Sequence, residues 1–386
     1  MMFEAKEARN SKLAGVPTEL KATPFVYKDP MQIPPRQWLY GRHLIRKNLS
    51  VTVAPGGVGK SSLTIIQALE LASGRKLLGH WNGGPLKVWL FNLEDERSEL
   101  DRRLSAAMMH YDISDEDLAG RLYVDTGREQ ELVLATQERD EALLNTALIE
   151  SLAQEIAERR IDVMIVDPFV SSHRVNEMDN GKIDFVSKTW IRLAEYSNCA
   201  IELVHHTRKL NGAAASSESS RGASSLINAA RSARVLQRLS EKELSDVGVV
   251  SNGSTYFSVR RDKSNLASSG EREIYRTVTV DLGQGDQVGV VEWWEKPDLF
   301  RGIKPADTLE VQKAIDGKGL RHSDQATDWC GHTIAQVLSL ETVKDKGRIK
   351  KLIEAWIASG VLAKKYIKDT KGKEVPVVEV GEWMNA

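Results

Sequence analysis

Apolar residues recur along this chain at two spacings, and the order of those spacings predicts alternating strands and helices. The β-branched run at 49–55 is typical of a buried strand, and helical spacing over 60–74 predicts a helix that ends at Gly74. The alternation continues along the chain, with strands at 86–94, 161–169 and 199–207 and helices at 97–111, 145–160 and 188–198. This order predicts an α/β fold with a mostly parallel sheet covered on both faces.

From about residue 233 the pattern changes to strand-like runs without long helices between them. These runs, up to about residue 295, predict an antiparallel extension on one edge of the same sheet. A polar stretch with two prolines at 295–307 marks a boundary, and helix-like stretches followed by a hairpin around DTKGKE predict a winged-helix-like domain. We expect an N-terminal arm at 1–33, a large α/β domain at 34–296 and the winged-helix-like domain at 305–386.

Composition restricts the class of protein further. The chain has 386 residues, of which 41% are hydrophobic and 28% charged, as in ordinary globular proteins. Its formal net charge of −1 means that any basic surface must be local. The sequence has no 18-residue apolar span and no apolar signal-peptide core, so we expect a cytoplasmic chain without a membrane partner. Cys199 and Cys330 are far apart and are expected to be buried thiols.

A glycine-rich turn joins the first predicted strand to the first helix. Its sequence, APGGVGKSS at 54–62, has the spacing of a phosphate-binding loop with Ala54 at the first glycine position. Glycines let the backbone wrap around phosphate oxygens, at the positive end of the helix dipole. Lys60 is expected to reach the β- and γ-phosphates, and the Ser61 hydroxyl to coordinate Mg²⁺. The predicted ATP-binding residues are Pro55, Gly56, Gly57, Val58, Gly59, Lys60, Ser61 and Ser62.

Two carboxylates at strand ends complete the predicted site. Asp167 follows four apolar residues, so it lies at the carboxyl end of a buried strand, where open parallel sheets bind ligands. We expect it to hold Mg²⁺ together with Ser61; the alternative is a carboxylate that caps the following turn. Glu94 begins an acidic cluster at the tip of the strand after the phosphate loop. It is assigned as the catalytic carboxylate that positions or deprotonates water, although such clusters also cap helices.

Two adjacent histidines, His205 and His206, end a further strand. Strand alternation aims only one of them at the γ-phosphate, and we favour His206 as the side chain that senses phosphate through a hydrogen bond. The alternative is that both histidines are ordinary turn residues.

Taken together, these motifs resemble the RecA-like ATPases, and most closely the RepA-like hexameric helicases of plasmids and phages within the AAA family ATPases. The resemblance rests on APGGVGKSS, NLEDE, MIVDPF, LVHHTRK and SESSRGASSLINAARSARVL, which occur in that order between about 36 and 295. It implies a RecA-like core, a homo-oligomeric ring that is expected to be a hexamer, and ATP bound between neighbouring subunits.

In that family, basic residues of one subunit complete the ATP site of the next. Arg221 resembles the family's loop arginine, and VRRDKSN resembles the segment that carries a finger near the end of the core. Arg260, Arg261 and Lys263 are the candidates there, and a cation delivered by the neighbour would stabilise charge on the γ-phosphate. We expect Arg221 and Lys263 to be catalytic, with solvated basic residues as the alternative.

The resemblance also predicts a DNA contact. Small residues fill 209–225, which we expect to be a mobile loop that contacts single-stranded DNA in the central channel. Lys209 and Arg221 are its only basic residues, and it lacks an aromatic side chain on which bases could stack. DNA translocation is therefore less directly indicated than ATP hydrolysis.

The C-terminal part carries the local basic charge. Between Glu341 and Lys373 there are ten Lys or Arg and four Asp or Glu, a net charge of +6. These residues predict a duplex-DNA contact through phosphates, or else a protein-docking module. The leading hypothesis is a ring-forming ATPase that moves on single-stranded DNA as a helicase in mobile-element replication. The alternatives are an ATP-dependent DNA-binding switch without unwinding activity and, less well supported, a small-molecule kinase.

Overall fold

The structure, a computed structural model, describes residues 21–80, 83–207, 223–246, 254–264, 266, 272–295, 298–368 and 372–384. These residues form two compact units. The first comprises the described residues within 1–238 and 254–294, and the second those within 239–253 and 295–386.

Strands and helices are numbered here in chain order. The strands are β1 (Trp38–Tyr40), β2 (Leu44–Ile45), β3 (Leu49–Pro55), β4 (Val88–Asn92), β5 (Leu122–Thr126), β6 (Ala135–Glu138), β7 (Glu141–Leu144), β8 (Val163–Asp167), β9 (His173–Arg174), β10 (Ala200–Thr207), β11 (Ser232–Arg238), β12 (Tyr256–Ser264), β13 (Glu273–Gly283), β14 (Asp286–Trp293), β15 (Leu320–Arg321), β16 (Leu362–Lys368) and β17 (Glu374–Val380). The α-helices are α1 (Lys60–Ser73), α2 (Arg97–Tyr111), α3 (Asp115–Leu118), α4 (Thr146–Arg159), α5 (Asn180–Ser197), α6 (Ala223–Ala229), α7 (Glu241–Asp246), α8 (Pro305–Ile315), α9 (Cys330–Val337) and α10 (Lys346–Ala358).

One large sheet organises the first unit. Among the described residues it has nine strands in the order β14-β13-β12-β11-β3-β10-β8-β4-β5. Neighbours from β11 to β5 are parallel, and those from β14 to β11 are antiparallel. The predicted α/β class and mostly parallel sheet are therefore confirmed, with antiparallel strands at one edge. Because β3 is central, the phosphate loop leaves the middle of the sheet.

Helices cover both faces of this sheet because its strands are apolar on both sides. On one face, Val51 and Val53 pack in the same core as Leu152 of α4 and Trp190 of α5. On the other face, Ala54 packs in the core that holds α1 and part of α2. Both faces of β3 are therefore covered. The phosphate loop follows directly on a strand whose residues 49–54 are buried.

Two sequence predictions in this unit need correction. Helix α5 begins at Asn180 rather than near 188, because the Asp179 side chain caps it by accepting hydrogen bonds from the backbone N–H groups of Gly181 and Lys182. The predicted loop at 209–225 ends earlier than expected, since Ala223–Ala229 is helical and buries Leu226 in the core. Residues 209–222 of that loop, including Lys209 and Arg221, lie outside the described residues.

The second unit contains α7, α8, α9 and α10 and a small sheet with the strand order β15-β17-β16. Its core combines apolar residues of α8, α9 and α10 with Leu362 and Val378 of the paired strands β16 and β17. Both cysteines are buried free thiols, Cys199 in the first unit and Cys330 in this one. No helix in the described part of the chain has the length and apolar character needed to cross a membrane.

Candidate active site

The phosphate loop lies between β3 and α1 at the carboxyl edge of the sheet. Gly59 caps α1 with a φ of 105°, and Gly57 has a φ of 75°, so both adopt the left-handed conformation that favours glycine. A Cβ atom on Gly59 would also lie 3.3 Å from the Phe257 ring. Lys60 is the first residue of α1 and is buried, which holds its ammonium close to the loop. The positive end of α1 therefore faces a turn shaped for phosphate.

Asp167 ends β8 beside this loop and is 2% exposed. Neither of its carboxylate oxygens makes a hydrogen bond of normal geometry to the described residues. Burial raises the pKa of Asp167, and the Lys60 ammonium and the Ser61 hydroxyl oppose that rise. Burial of a carboxylate without hydrogen bonds destabilises the folded protein unless a cation or a hydrogen-bond donor binds to it.

The residues around Asp167 fit a magnesium ion bound together with a nucleotide. The orphaned carboxylate supplies hard oxygen ligands, and Ser61 supplies a hydroxyl from the first turn of α1. The described residues hold no group of three or more His, Cys, Asp or Glu side chains that could bind a metal by themselves. Mg²⁺ is typically held by one or two protein ligands plus substrate phosphates and water, which is the arrangement these residues allow.

Glu94 lies on the turn that follows β4, on the same edge of the sheet. In the parallel pair of β4 and β8, Asn92 is directly beside Asp167, and the Leu93 backbone N–H donates to the Asp167 carbonyl at 2.7 Å. The side chain of Asn92 accepts hydrogen bonds from the backbone N–H groups of Glu94 at 2.9 Å and Asp95 at 2.7 Å. The Glu94 side chain is 51% exposed, so it is accessible to water.

Asn92 is a positioning residue that sequence reasoning missed. It ends the apolar run of β4 and is 4% exposed, with its side chain bound to the Glu94 turn rather than to solvent. An amide directly before an acidic cluster, at the end of a strand, was the signal that could have identified it.

The two histidines at the end of β10 point to opposite faces of the sheet. His206 lies 3.9 Å from Glu94 between Nε2 and Oε1, and burial and Lys60 lower its pKa while Glu94 and Asp167 oppose the fall. His205 instead packs toward Phe169, with 6.1 Å between ring centroids, and burial lowers its pKa to about 4. The structure thus brings together Lys60, Ser61, Glu94, Asp167 and His206 at one edge.

A β-bulge separates the candidate finger residues on β12. Ala233 pairs with Lys263 and Arg234 with Arg261, and the register shifts between these pairs. The bulge therefore turns Arg261 and Lys263 toward opposite faces of the sheet. Lys263 donates to the backbone carbonyls of Ile227 at 2.9 Å and Asn228 at 2.7 Å.

The other two candidates have different surroundings. Arg260 forms an ion pair with Asp262 at 2.7 Å. Arg261 lines a cavity of about 180 Å³ next to Tyr40 and Arg234, and its Nη1 is buried without a hydrogen-bond partner in the described part of the chain. The roles assigned to these residues stay predictions.

A second buried polar cluster lies deeper in the sheet, on the face covered by α1. Glu202 is fully buried and bonds to Arg234 at 2.9 Å, to His43 at 3.2 Å, and to the Thr52 and Gln67 side chains. Burial alone would raise the pKa of Glu202, but Arg234 and His43 lower it below its usual range. This cluster ties α1 to β3, β10 and β11.

Comparison with known protein families agrees with this geometry. A family model described as an AAA domain matches residues 16–212, which is just over half of the chain. The matched segment contains the phosphate loop, Glu94, Asp167 and both histidines of β10.

Proposed function

This chain belongs to the AAA-domain family of P-loop ATPases, and from that premise we propose that it is a ring-forming motor that hydrolyses ATP to move along single-stranded DNA. The proposal is for a homo-hexamer that acts like the RepA-type helicases in plasmid or phage replication. The observation that carries its ATPase part is the convergence of Lys60, Ser61, Glu94, Asp167 and His206 on one sheet edge. The ring and the movement on DNA rest on the resemblance to the RepA-like helicases.

Each side chain at that edge has a distinct part in hydrolysis. The phosphate loop and Lys60 bind and orient the triphosphate, while Ser61 and Asp167 hold Mg²⁺. When bound, the metal neutralises charge on the β- and γ-phosphates. Glu94 orients the attacking water and accepts its proton, because it is an accessible carboxylate that lies 3.9 Å from His206 and acts on the charge of Asp167. His206 hydrogen-bonds the γ-phosphate and reports its presence to β10.

In the proposed ring, a basic side chain of the neighbouring subunit supplies further positive charge at the γ-phosphate. Arg221, Arg260, Arg261 and Lys263 are the candidates for the cation that enters the neighbour's site. Arg261 has a buried guanidinium nitrogen without a partner among the described residues, and Lys263 is held by backbone carbonyls. Mixing Arg221→Ala subunits with Lys60→Ala subunits tests delivery between subunits: recovery of activity in the mixture supports it, and no recovery contradicts it.

Stimulation by DNA tests the motor itself. We expect Mg²⁺-dependent ATP hydrolysis to rise when single-stranded DNA is added, and a labelled strand to be displaced from a forked duplex. Lys60→Ala is expected to abolish both, because it removes the ammonium that binds the phosphates. If single-stranded DNA does not stimulate hydrolysis and no strand is displaced, the motor proposal is contradicted, while the proposal that the protein is an ATPase still stands.

A second candidate function is an ATP-dependent DNA-binding switch that does not unwind DNA. It is favoured by the basic stretch 341–373 of the second unit, a unit that we propose to be a winged helix that contacts duplex DNA or a protein partner. Lys364, Lys365 and Lys368 lie exposed along β16. On α10, by contrast, Lys346 and Lys350 pair with Asp324 at 3.3 and 3.2 Å, which leaves the lysines of β16 as the more available basic surface. Salt-dependent binding of duplex DNA that Lys364→Ala weakens supports this candidate.

A further inference from the structure

A cavity of about 180 Å³ lies between the turn that joins β1 to β2 and the strands β11 and β12. It is on the face of the large sheet that α1 covers, since Tyr40 and Val259 of its lining pack in the same core as α1. Its volume exceeds the roughly 10–15 Å³ that one water needs and is below the roughly 300 Å³ at which pockets for drug-sized ligands begin. The phosphate-loop residues, Glu94, Asp167 and His206 are not among the described residues that line it. The cavity therefore has room for a small ligand outside the proposed ATP site.

Strand β12 separates this cavity from the phosphate loop. Phe257, near the start of the strand, lies against the loop, since a Cβ atom on Gly59 would be 3.3 Å from its ring. Arg261 lines the cavity and is four residues further along the same strand. At about 3.3 Å per residue, Arg261 is about 13 Å from Phe257. A ligand held by Arg261 is therefore distinct from the phosphates bound at the loop.

Two arginines face each other across β11 and β12 in the wall of the cavity. Arg234 and Arg261 are paired in the strand register and both line the cavity, so they lie on the same face of the sheet. Like charges directly opposite each other on neighbouring strands are destabilising. Arg234 forms an ion pair with Glu202 at 2.9 Å, whereas Nη1 of Arg261 is buried without a hydrogen-bond partner in the described residues. The two guanidinium groups therefore share one carboxylate.

The other charged groups near the cavity leave its lining positive. Arg42 adds a third guanidinium, on an exposed residue of the turn. Glu273 is the one carboxylate among the described lining residues, and it accepts a hydrogen bond from the Tyr275 hydroxyl at 2.9 Å and lies 3.0 Å from Nε2 of His80. Glu70, outside the lining, accepts from the backbone N–H of His80 at 3.1 Å. These carboxylates are thus engaged away from Arg261.

The turn between β1 and β2 holds the cavity in shape. Gly41 has a φ of 48°, and a Cβ atom there would lie 3.1 Å from Nδ1 of His80, so both the backbone and the close approach favour glycine. His43 is fixed by Ser232 at 3.0 Å and Glu202 at 3.2 Å. Burial and the Arg234 guanidinium lower the pKa of His43 to about 4, so it adds no charge near pH 7. The positive charge of the cavity therefore comes from its arginines.

We propose that this cavity binds a small oxyanion of the phosphate class between Arg234 and Arg261. The planar guanidinium groups match the oxygens of such an anion, and an anion placed between them replaces a repulsion with two attractions. A DNA backbone carries the same chemical group, but the buried Nη1 of Arg261 favours a free anion that enters the cavity. The site is independent of the proposed ATPase function, and it removes Arg261 from the candidates for the neighbour's ATP site.

Calorimetric titration with orthophosphate tests this site on full-length Lys60→Ala, whose phosphate loop lacks its ammonium. We expect this chain to bind orthophosphate, and the added change Arg261→Gln to weaken binding about 10- to 100-fold, because a hydrogen bond to a charged group is lost. Arg261→Lys keeps the charge and is expected to lose less. Arg276→Gln is the matched control with unchanged affinity, since Arg276 lies outside the lining in an ion pair with Glu292.

Stability and DNA binding complete the test. Arg261→Gln removes one of two facing positive charges, so its free energy of unfolding without phosphate should be equal to or above that of the parent chain. Its affinity for a single-stranded oligonucleotide without a terminal phosphate should be unchanged.

Four results would overturn the oxyanion site while leaving the ATPase proposal in place. The first two are an absence of orthophosphate binding by Lys60→Ala and an unchanged affinity after Arg261→Gln. The third is a clear loss of stability in Arg261→Gln, which would make Arg261 a structural partner. The fourth is a loss confined to the oligonucleotide, which would assign Arg261 to DNA.

Discussion

Asp167 and Glu202 are both buried carboxylates on neighbouring strands, on the face of the sheet that α1 covers, yet their surroundings are opposite. Glu202 pairs in register with Ile165, two residues before Asp167. Glu202 has hydrogen bonds from four side chains, whereas Asp167 has none of normal geometry in the described part of the chain. Accordingly the pKa of Glu202 lies below its usual range and that of Asp167 above it.

This difference separates a structural carboxylate from a functional one. A buried carboxylate whose acceptor positions are occupied by hydrogen bonds holds elements together and has no acceptor position left for a ligand. A buried carboxylate without hydrogen bonds destabilises the ligand-free protein. Such a group is typical of a site where a bound ligand supplies the missing interactions. The Glu202 cluster therefore fixes α1 against β3 and β11, whereas Asp167 is the carboxylate that we propose to bind Mg²⁺.

The largest expected effect is on stability, at Glu202. Glu202→Gln leaves the Arg234 guanidinium buried and unpaired, which is expected to lower the free energy of unfolding by about 3–5 kcal/mol. Chemical denaturation measures this loss. Because an apolar pair of similar volume avoids the unpaired charge, the double variant Glu202→Leu/Arg234→Met is expected to recover part of it, while Thr52, Gln67 and His43 lose a buried partner. A single variant as stable as the wild type would contradict the structural role of Glu202.

The pH dependence of that loss follows from the sign of the pKa shift. The lowered pKa of Glu202 stabilises the folded chain at pH values above the carboxyl's ordinary pKa, and this stabilisation is lost as pH falls below about 4. The gap between wild type and Glu202→Gln should therefore narrow in acid. At Asp167 the sign reverses, since a raised pKa means that its ionisation costs stability as pH rises.

The next largest effect is on hydrolysis, at Asp167. Asp167→Asn keeps the shape but removes the charge that holds the metal, so Mg²⁺-dependent ATP hydrolysis should fall by at least about 100-fold. The free energy of unfolding without nucleotide should stay equal or rise, because the cost of burying the charge outweighs its interactions with Lys60 and Ser61. A calorimetric scan beside the rate assay tests both expectations, and a strongly destabilised variant would place Asp167 with Glu202 as a structural residue.

The smallest effect compares the two histidines of β10. His206→Ala should lower the hydrolysis rate about 10- to 100-fold, since a hydrogen bond to a charged group contributes roughly 1.5–3 kcal/mol. His205→Phe should leave the rate unchanged, because His205 packs toward Phe169 on the other face with an unbonded Nδ1. Equal losses in the two variants would show that β10 acts only as a scaffold.

Much of the fold could be predicted from apolar spacing where that spacing is long and regular. Helix α2 covers the predicted 97–111, and β3 covers the predicted 49–55. The short strands β1, β2, β5, β6 and β7 were not predicted, because runs of two to five residues carry too little periodicity. The start of α5 was missed because polar residues surround the Asp179 cap, although buried Ile183 and Val186 already lie at helical spacing with Trp190.

The site was predictable in part for a related reason. Phosphate-loop spacing and strand-end acids are local signals, so Lys60, Ser61, Glu94 and Asp167 could be proposed from the sequence, and the structure places them at one edge of the sheet. Two ion pairs, Glu202–Arg234 and Arg102–Asp286, join residues that are far apart in sequence. Such contacts depend on strand order and register, which single-sequence patterns do not specify.

The central claim is that a carboxylate at this edge activates water against a bound triphosphate. The most direct test is to measure Mg²⁺-ATP affinity and single-turnover hydrolysis of Glu94→Gln beside the wild type. We expect unchanged affinity with hydrolysis slowed by at least about 100-fold, because Gln keeps the shape but cannot accept the proton. Hydrolysis at the wild-type rate would contradict the assignment, and a wild-type protein without Mg²⁺-dependent ATP binding would contradict the site as a whole.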